Sequence, residues 1–390
     1  MPARESIELR EPNLPASARR VTTGLRKGWT TGTCSAAAAK AATLALVSGR
    51  PVTLVEVPLP GPGRRQSFPV ERCELHGDEA VAAVVKDAGD DPDVTHGAHL
   101  TATVRRRPEP GVALAAGEGV GTVTRPGLGL AVGGPAINAG PRRQITAALG
   151  EVVDLTHEGA RVELSVPGGA RMARRTTNGR LGIVGGISIL GTTGVVRPFS
   201  TAAWRASVVQ AIDVIAAGGG RAVVLTTGGR TEKAAMALLP ALEEGAFVEV
   251  GDFTGHALRR AADRGLARCF FVGMAGKLSK LAAGIMMTHW TRSKVDPTLL
   301  AELVRTAGGN AALVAAVGEA NTARHAYELW RGAGLDRAGD LLCRRVADNL
   351  TRFAEGRVEV HALMVDFDDL AVTGASPGAR GGVAREGGRR

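Results

Sequence analysis

The chain has 390 residues, 44% of them hydrophobic and 22% charged, which is ordinary for a soluble globular protein and leaves room for two domains. Aromatic residues make up only 3%, with one tyrosine, Tyr327, and this argues against a surface that stacks nucleic-acid bases on rings. The formal charge of +10 suits an anionic partner carrying carboxylates or phosphates, although arginine enrichment in a GC-rich genome accounts for the excess equally well.

Four cysteines, Cys34, Cys73, Cys269 and Cys343, are far apart, form no C-x-x-C pair and have no histidine pair near them at ligand spacing, so no protein metal site is expected. Isolated thiols suit a reducing cytoplasm. No stretch approaches a membrane span, and the charged, proline-bearing start does not read as a signal peptide. A cytoplasmic protein with no membrane partner is expected.

Residues 1–23 read as a flexible leader. The segment Leu25-Arg26-Lys27-Gly28-Trp29-Thr30-Thr31-Gly32-Thr33-Cys34-Ser35 then runs into four alanines and Lys40-Ala41-Ala42, predicting a capped helix that Gly49 ends. The hydroxyls of Thr30, Thr31, Thr33 and Ser35 exceed what one cap requires. They suit anion binding if that end is open to solvent, and the alternative is an ordinary helix packed through small residues. Strands are expected at 52–57, 67–70, 80–85 and 100–104, separated by Pro/Gly/Asp turns. The run from Lys86 to Asp93 lacks the spacing of a calcium loop and reads as a solvated turn. Val120–Ala131 reads as a strand pair, and Val162–Val166 as a further strand. Pro141–Leu149 is expected to be helical, with Arg142 and Arg143 opposing the dipole at its start, as a ligand there would favour. The glycine- and threonine-rich run Leu181–Pro198, which carries Thr192, Thr193 and Arg197, joins the two halves.

After a helix at Thr201–Ala217 come three strand-loop-helix units. Arg221–Leu225 ends in Thr226-Thr227-Gly228-Gly229-Arg230, Ala246–Val250 in Gly251-Asp252-Phe253-Thr254-Gly255, and Cys269–Val272 in Gly273-Met274-Ala275-Gly276-Lys277. Three such units predict a parallel wound sheet with ligand-binding loops at its carboxyl edge. Asp252 stands where dinucleotide and nucleoside folds place a ribose acceptor, but no G-x-G-x-x-G spacing is present, and any one of the loops could use its glycines only to turn. Leu278–Met287 is expected to be helical. His289, in the run Thr288-His289-Trp290-Thr291-Arg292-Ser293, reads either as a proton donor or carboxylate partner or as a helix-end histidine. Helices follow from Pro297 to Ala354, and Arg357–Val365 is a closing strand. Residues 371–390 read as a disordered Gly/Arg tail.

Four of these stretches together carry a family resemblance: Arg26–Ala42, Ser188–Pro198, Thr226–Arg230 and Gly273–Gly284. From about residue 24 to 370 the chain resembles the CbiD family, the cobalt-precorrin-5B C1-methyltransferases of anaerobic cobalamin (vitamin B12) biosynthesis. Trp29 departs from the family by standing where relatives often have another aromatic residue. The resemblance implies an α+β domain at 24–197, like the second domain of ribosomal protein S5, followed by a parallel-sheet α/β, Rossmann-like domain at 198–370. It also implies methyl transfer from S-adenosylmethionine to C-1 of cobalt-precorrin-5B, giving cobalt-precorrin-6A.

On that basis the methyl donor is expected at Thr226, Thr227, Gly228, Gly229, Asp252, Gly273 and Gly276. The carboxylates of the anionic tetrapyrrole are expected at Thr30, Thr31, Thr33, Ser35, Thr192, Thr193, Arg197 and Lys277. His289 and Lys277 are the catalytic candidates. Cobalt enters only inside the substrate, and in-line methyl transfer asks for alignment and exclusion of water more than for an acid-base pair. A homo-oligomer and transient contact with neighbouring pathway enzymes stay open. The alternatives from other classes are a phosphate-binding phosphotransferase, which would lack a G-x-x-x-x-G-K-[ST] loop, and a basic RNA-binding protein, which would lack a nucleic-acid motif.

Overall fold

The computed structural model describes residues 8–11, 24–289 and 294–381. Their contacts divide into two compact units, one within Thr22–Thr201 and one within Met1–Val21 and Ala202–Arg390.

In the first unit β1 (Gly28–Trp29) leads into α1 (Thr31–Ser48), followed by β2 (Leu54–Pro58), β3 (Arg65–Pro69), β4 (Arg72–His76), β5 (Glu79–Val85), β6 (His99–Arg107), β7 (Gly111–Ala116) and β8 (Thr122–Val123). Next come α2 (Ala139–Gly150), β9 (Gly159–Ser165), α3 (Gly169–Ala173), β10 (Ile183–Val184) and β11 (Val195–Val196). The main sheet has the order β4-β5-β6-β9-β7, antiparallel except for the parallel pair β7 and β9. Alternate residues Ala80, Ala82 and Val84 on β5, Leu100, Ala102 and Val104 on β6, and Ala160, Val162 and Leu164 on β9 share one core with the alanines of α1. Because those helix residues are alanines, the helix backbone lies close to the sheet and is buried nearly all round. Gly49 closes α1 at φ 68°, a left-handed conformation that glycine adopts without a Cβ penalty.

Several expectations fail in this unit. Residues 120–131 do not pair with one another, since Thr122–Val123 pairs instead with Ile183–Val184, and β4 and β7 were not anticipated. β4 carries only Cys73 and Leu75 as apolar residues, a pattern too weak to announce an edge strand. The run after β5 is also not a solvated turn. Lys86 is 1% exposed, and its ammonium donates to Asp93 Oδ2 at 2.7 Å.

The second unit contains α4 (Thr201–Ala217), whose first residue falls in the other unit, then β12 (Ala222–Thr226), α5 (Gly229–Leu238), β13 (Phe247–Glu249), α6 (Thr254–Asp263), β14 (Arg268–Gly273) and α7 (Ala275–Ala282). Four more helices, α8 (Pro297–Ala307), α9 (Ala311–Gly318), α10 (Ala323–Gly332) and α11 (Arg337–Phe353), precede β15 (Glu359–Val365) and β16 (Val372–Ala375). The sheet order is β13-β12-β14-β15-β16, parallel except for the antiparallel β15–β16 pair. Val223, Leu225, Cys269 and Phe271 face one core, while Ala222, Val224, Phe270 and Val272 face another. Burial on both faces is why these strands read as unbroken apolar runs.

Both chain ends depart from expectation where they are described. Residues 372–375 are strand rather than tail, because the main chain of Leu363–Val365 on β15 supplies partners for them. In the leader, the Arg10 N–H donates to Gly284 O at 2.8 Å and Arg10 O accepts from Met286 N–H at 2.7 Å. The rest of the leader and residues 382–390 lie outside the described residues.

Candidate functional site

The carboxyl edge of the parallel sheet is the first candidate. From β12 the chain moves to β13 on one side and then to β14 on the other, so the order reverses at β12, and open α/β sheets bind ligands outside such a reversal. The turn between β12 and α5 is partly closed by its own residues. Thr231 Oγ1 accepts from the N–H groups of Thr227 and Gly228 at 3.0 and 3.1 Å and donates to Gly228 O at 2.7 Å. Two N–H groups expected to face a ligand are therefore already satisfied.

Thr226 is a clearer correction. It is fully buried, with its hydroxyl 3.5 Å from Val248 O, so it belongs to the sheet and not to an exposed edge. Gly273 is likewise the buried last residue of β14, paired with Met364. The glycines beyond them differ. A Cβ placed on Gly228, Gly229 or Gly276 would meet no atom within 4 Å, so space is open over the start of α5 and the first turn of α7.

The polar residues of this edge form one network. Lys277 Nζ donates to Thr227 O at 3.1 Å and to Gly251 O at 2.9 Å, and lies 3.3 Å from Asp252 Oδ1. Thr288, which is buried, donates its hydroxyl to the same carboxylate oxygen at 2.9 Å, and Lys280 Nζ donates to Thr288 O at 2.9 Å. Partial burial pulls the Lys280 ammonium below its ordinary value, opposed by Asp252 and reinforced by Lys277. Lys280 and Thr231 were missed in the sequence. The available signals were the i, i+3 spacing of Lys280 from Lys277 and the hydroxyl three residues after Gly228. His289 is half-buried next to Thr288, and the remainder of its cluster, residues 290–293, lies outside the described residues.

In the first unit the expected anion site is not open. Thr30, Thr31, Thr33 and Ser35 are all buried. Thr30 caps α1 by accepting from Thr33 N–H at 3.2 Å. Thr31 Oγ1 accepts from Leu190 N–H at 2.9 Å, and Thr33 Oγ1 donates to Gly194 O at 2.9 Å with Gln144 Oε1 a second acceptor at 3.2 Å. The surplus hydroxyls hold residues 188–194 against the helix start. Gly191 and Gly194 permit this approach, since a Cβ on Gly191 would come within 2.5 Å of Thr30 Oγ1 and one on Gly194 within 2.9 Å of Thr33 Oγ1. Arg142 is also committed, donating to Ile137 O at 2.7 Å.

The structure thus separates the residues expected to contact substrate. Thr192, Thr193 and Arg197 are exposed, and so are Leu190 and Phe199 on the same segment. Phe199 takes a left-handed backbone, φ 53°, a conformation costing about 1–3 kcal/mol for a residue with a Cβ. Its N–H donates to Asp91 Oδ1 at 3.0 Å. No group of three or more His, Cys, Asp or Glu able to hold a metal ion occurs among the described residues, and no helix among them is long and apolar enough to cross a membrane.

These features define a two-unit mixed α/β protein, with one unit an open sheet whose carboxyl edge is polar and glycine-lined. The CbiD family model matches residues 18–198, and the model described as CbiD, C-terminal domain, matches residues 287–375. A protein of Rubrobacter xylanophilus is 68% identical over 96% of this chain and 97% of its own length, and one of Salinispora arenicola is 64% identical over 94% and 97%. Both relatives carry the name cobalt-precorrin-5B C(1)-methyltransferase. A crystal structure of a cobalamin biosynthesis protein (cbiD) from Archaeoglobus fulgidus, 27% identical, covers 73% of this chain and 93% of that one at a TM-score of 0.36. The chain belongs to the CbiD family.

Proposed function

We propose that this protein is a cobalt-precorrin-5B C(1)-methyltransferase, moving a methyl group from S-adenosylmethionine to C-1 of the macrocycle to give cobalt-precorrin-6A. The observation that carries this reading is 68% identity over nearly the whole length of a relative of that name. Neither a phosphotransferase nor an RNA-binding protein is favoured by the names of the relatives above.

When bound, S-adenosylmethionine supplies a methyl group on a positively charged sulfonium, and attack by carbon leaves a neutral thioether. The residues at the carboxyl edge fit such a group: open space over Gly228, Gly229 and Gly276, and an ionisable carboxylate at Asp252 for hydroxyl groups of a ribose. Thr227 contributes its backbone to this edge, whereas Thr226 and Gly273 support it from inside the sheet. The macrocycle's carboxylates and apolar rim are read onto the exposed segment of the other unit, with Arg197 for charge, Thr192 and Thr193 for hydrogen bonds and Leu190 and Phe199 for apolar contact. The buried Thr30, Thr31, Thr33 and Ser35 act behind this segment. His289 remains the candidate for a group that touches substrate. Chemistry of this kind rests on holding two reactants in line and excluding water.

The first unit is read as related to the second domain of ribosomal protein S5, and the protein as a cytoplasmic enzyme that needs cobalt only within its substrate. The test is anaerobic incubation of the purified protein with cobalt-precorrin-5B and methyl-labelled S-adenosylmethionine, read by mass spectrometry. One label in the macrocycle is expected. Intact substrate with no label, together with no binding of the donor, would overturn the proposal.

A further inference from the structure

We propose that Lys277 is a positioning residue, a clasp that fixes the loops of the methyl-donor site relative to one another, and neither a proton carrier nor a ligand for the macrocycle's carboxylates. The proposal rests on the reading that the carboxyl edge of the parallel sheet holds S-adenosylmethionine.

A lysine ammonium has three N–H donors and no acceptor. Two of those of Lys277 go to Thr227 O and Gly251 O at 3.1 and 2.9 Å, and the ammonium forms an ion pair with Asp252, 3.3 Å from its Oδ1. The acceptors follow β12 and β13, while Lys277 itself follows β14 on α7. Because β12 lies between β13 and β14, the side chain spans the end of the central strand and ties all three strand ends together. Acceptors for two of its three donors, and its ion-pair partner, are supplied by the loops themselves, so the side chain is engaged inside the protein before any substrate arrives.

The same ammonium orients Asp252. Its Oδ1 is shared between Lys277 and the Thr288 hydroxyl, and Thr288 is in turn held by Lys280 through its carbonyl. An acceptor carboxylate fixed from two sides keeps one direction, so a group hydrogen-bonded to it is placed without further ordering. A compact tetrahedral ammonium suits three convergent oxygens, and the planar fork of arginine does not.

The test uses the full chain and its Lys277→Met and Lys277→Arg variants. Binding of S-adenosylmethionine and of cobalt-precorrin-5B is measured separately by calorimetric titration, and amide hydrogen exchange is followed at residues 226–231 and 250–254. Lys277→Met is expected to weaken donor binding roughly tenfold or more. Macrocycle affinity should stay within about twofold, and exchange in both loops should accelerate while α11 stays protected. Lys277→Arg should fall between the two. Macrocycle affinity that drops while donor affinity holds would make Lys277 a substrate ligand and overturn the proposal. A lower kcat with both affinities and loop exchange unchanged would make it a proton carrier, with the same consequence. Should Lys277→Met fail to fold, Lys277→Arg and Thr288→Val carry the test, and donor affinity unchanged in both would refute the clasp. If the unaltered chain does not bind S-adenosylmethionine, the cofactor reading itself falls and the clasp with it, a result distinct from any confined to the variants.

Discussion

Replacing Thr33 by valine tests whether the hydroxyls at the start of α1 serve the fold or a ligand. Valine keeps the β-branched shape, so no cavity opens, and the change removes one hydroxyl from a fully buried position. The hydrogen bond to Gly194 O at 2.9 Å is lost, although Gly194 O still accepts from Thr30 N–H at 3.2 Å. A neutral hydrogen bond contributes about 1 kcal/mol net. In a unit the size of Thr22–Thr201 each kcal/mol moves the melting temperature by about 2–4 °C, so a fall of about 2–4 °C is expected. Differential scanning calorimetry of the full chain reads it, with the exposed Thr192→Val as the control that should not move. A Thr33→Val protein that melts within about 1 °C of the unaltered chain but binds the anionic macrocycle more weakly would refute the reasoning and return Thr33 to the ligand.

Arg65, followed by Lys40, holds the Glu151 carboxyl down to about 2 against an ordinary 4.5. A depressed carboxyl stabilises the fold fully above its ordinary value and loses that contribution as pH falls toward 2, so denaturant midpoints should drop across that window. Glu151→Gln should flatten the drop and cost about 1 kcal/mol at neutral pH, the solvent-screened worth of a partly exposed pair. Burial works to raise the Asp93 carboxyl, but Lys86 and Thr95 outweigh it and hold it low. Asp93→Asn should therefore strand the buried Lys86 ammonium at a cost of about 3 kcal/mol in urea unfolding, and the double variant with Lys86→Met should recover most of the loss. Burial pushes the Cys34 thiol up to about 12 and raises those of Cys269 and Cys343 as well. Iodoacetamide at pH 8 should modify half-buried Cys73 alone in the folded protein, and labelling of Cys34 at a comparable rate, read by peptide mass spectrometry, would contradict that burial.

The parts legible in the sequence are those fixed by neighbours along the chain. Arg221–Leu225 and Cys269–Val272 announce buried strands because both faces are covered, and Gly49 announces a helix end because only its own turn needs a left-handed residue. The loops that carry the glycines and Asp252 were legible for the same reason, and a Cβ on Gly228, Gly229 or Gly276 would meet no atom within 4 Å. Strand order was not, because nothing in the spacing of β13 and β14 says that they flank β12 from opposite sides. The direction in which a hydroxyl or ammonium points was equally hidden. Thr31 and Thr33 have the chemistry of an anion site, but their partners Leu190 and Gly194 lie some 160 residues away, a separation that no local pattern encodes. Lys277 is a basic residue at the edge of a binding loop in the sequence, and a committed ammonium bridging three strand ends in the fold. Residue type therefore singled out both regions as candidates, while the competition for each donor and acceptor, decided by tertiary packing, determines which of their groups are already committed within the fold.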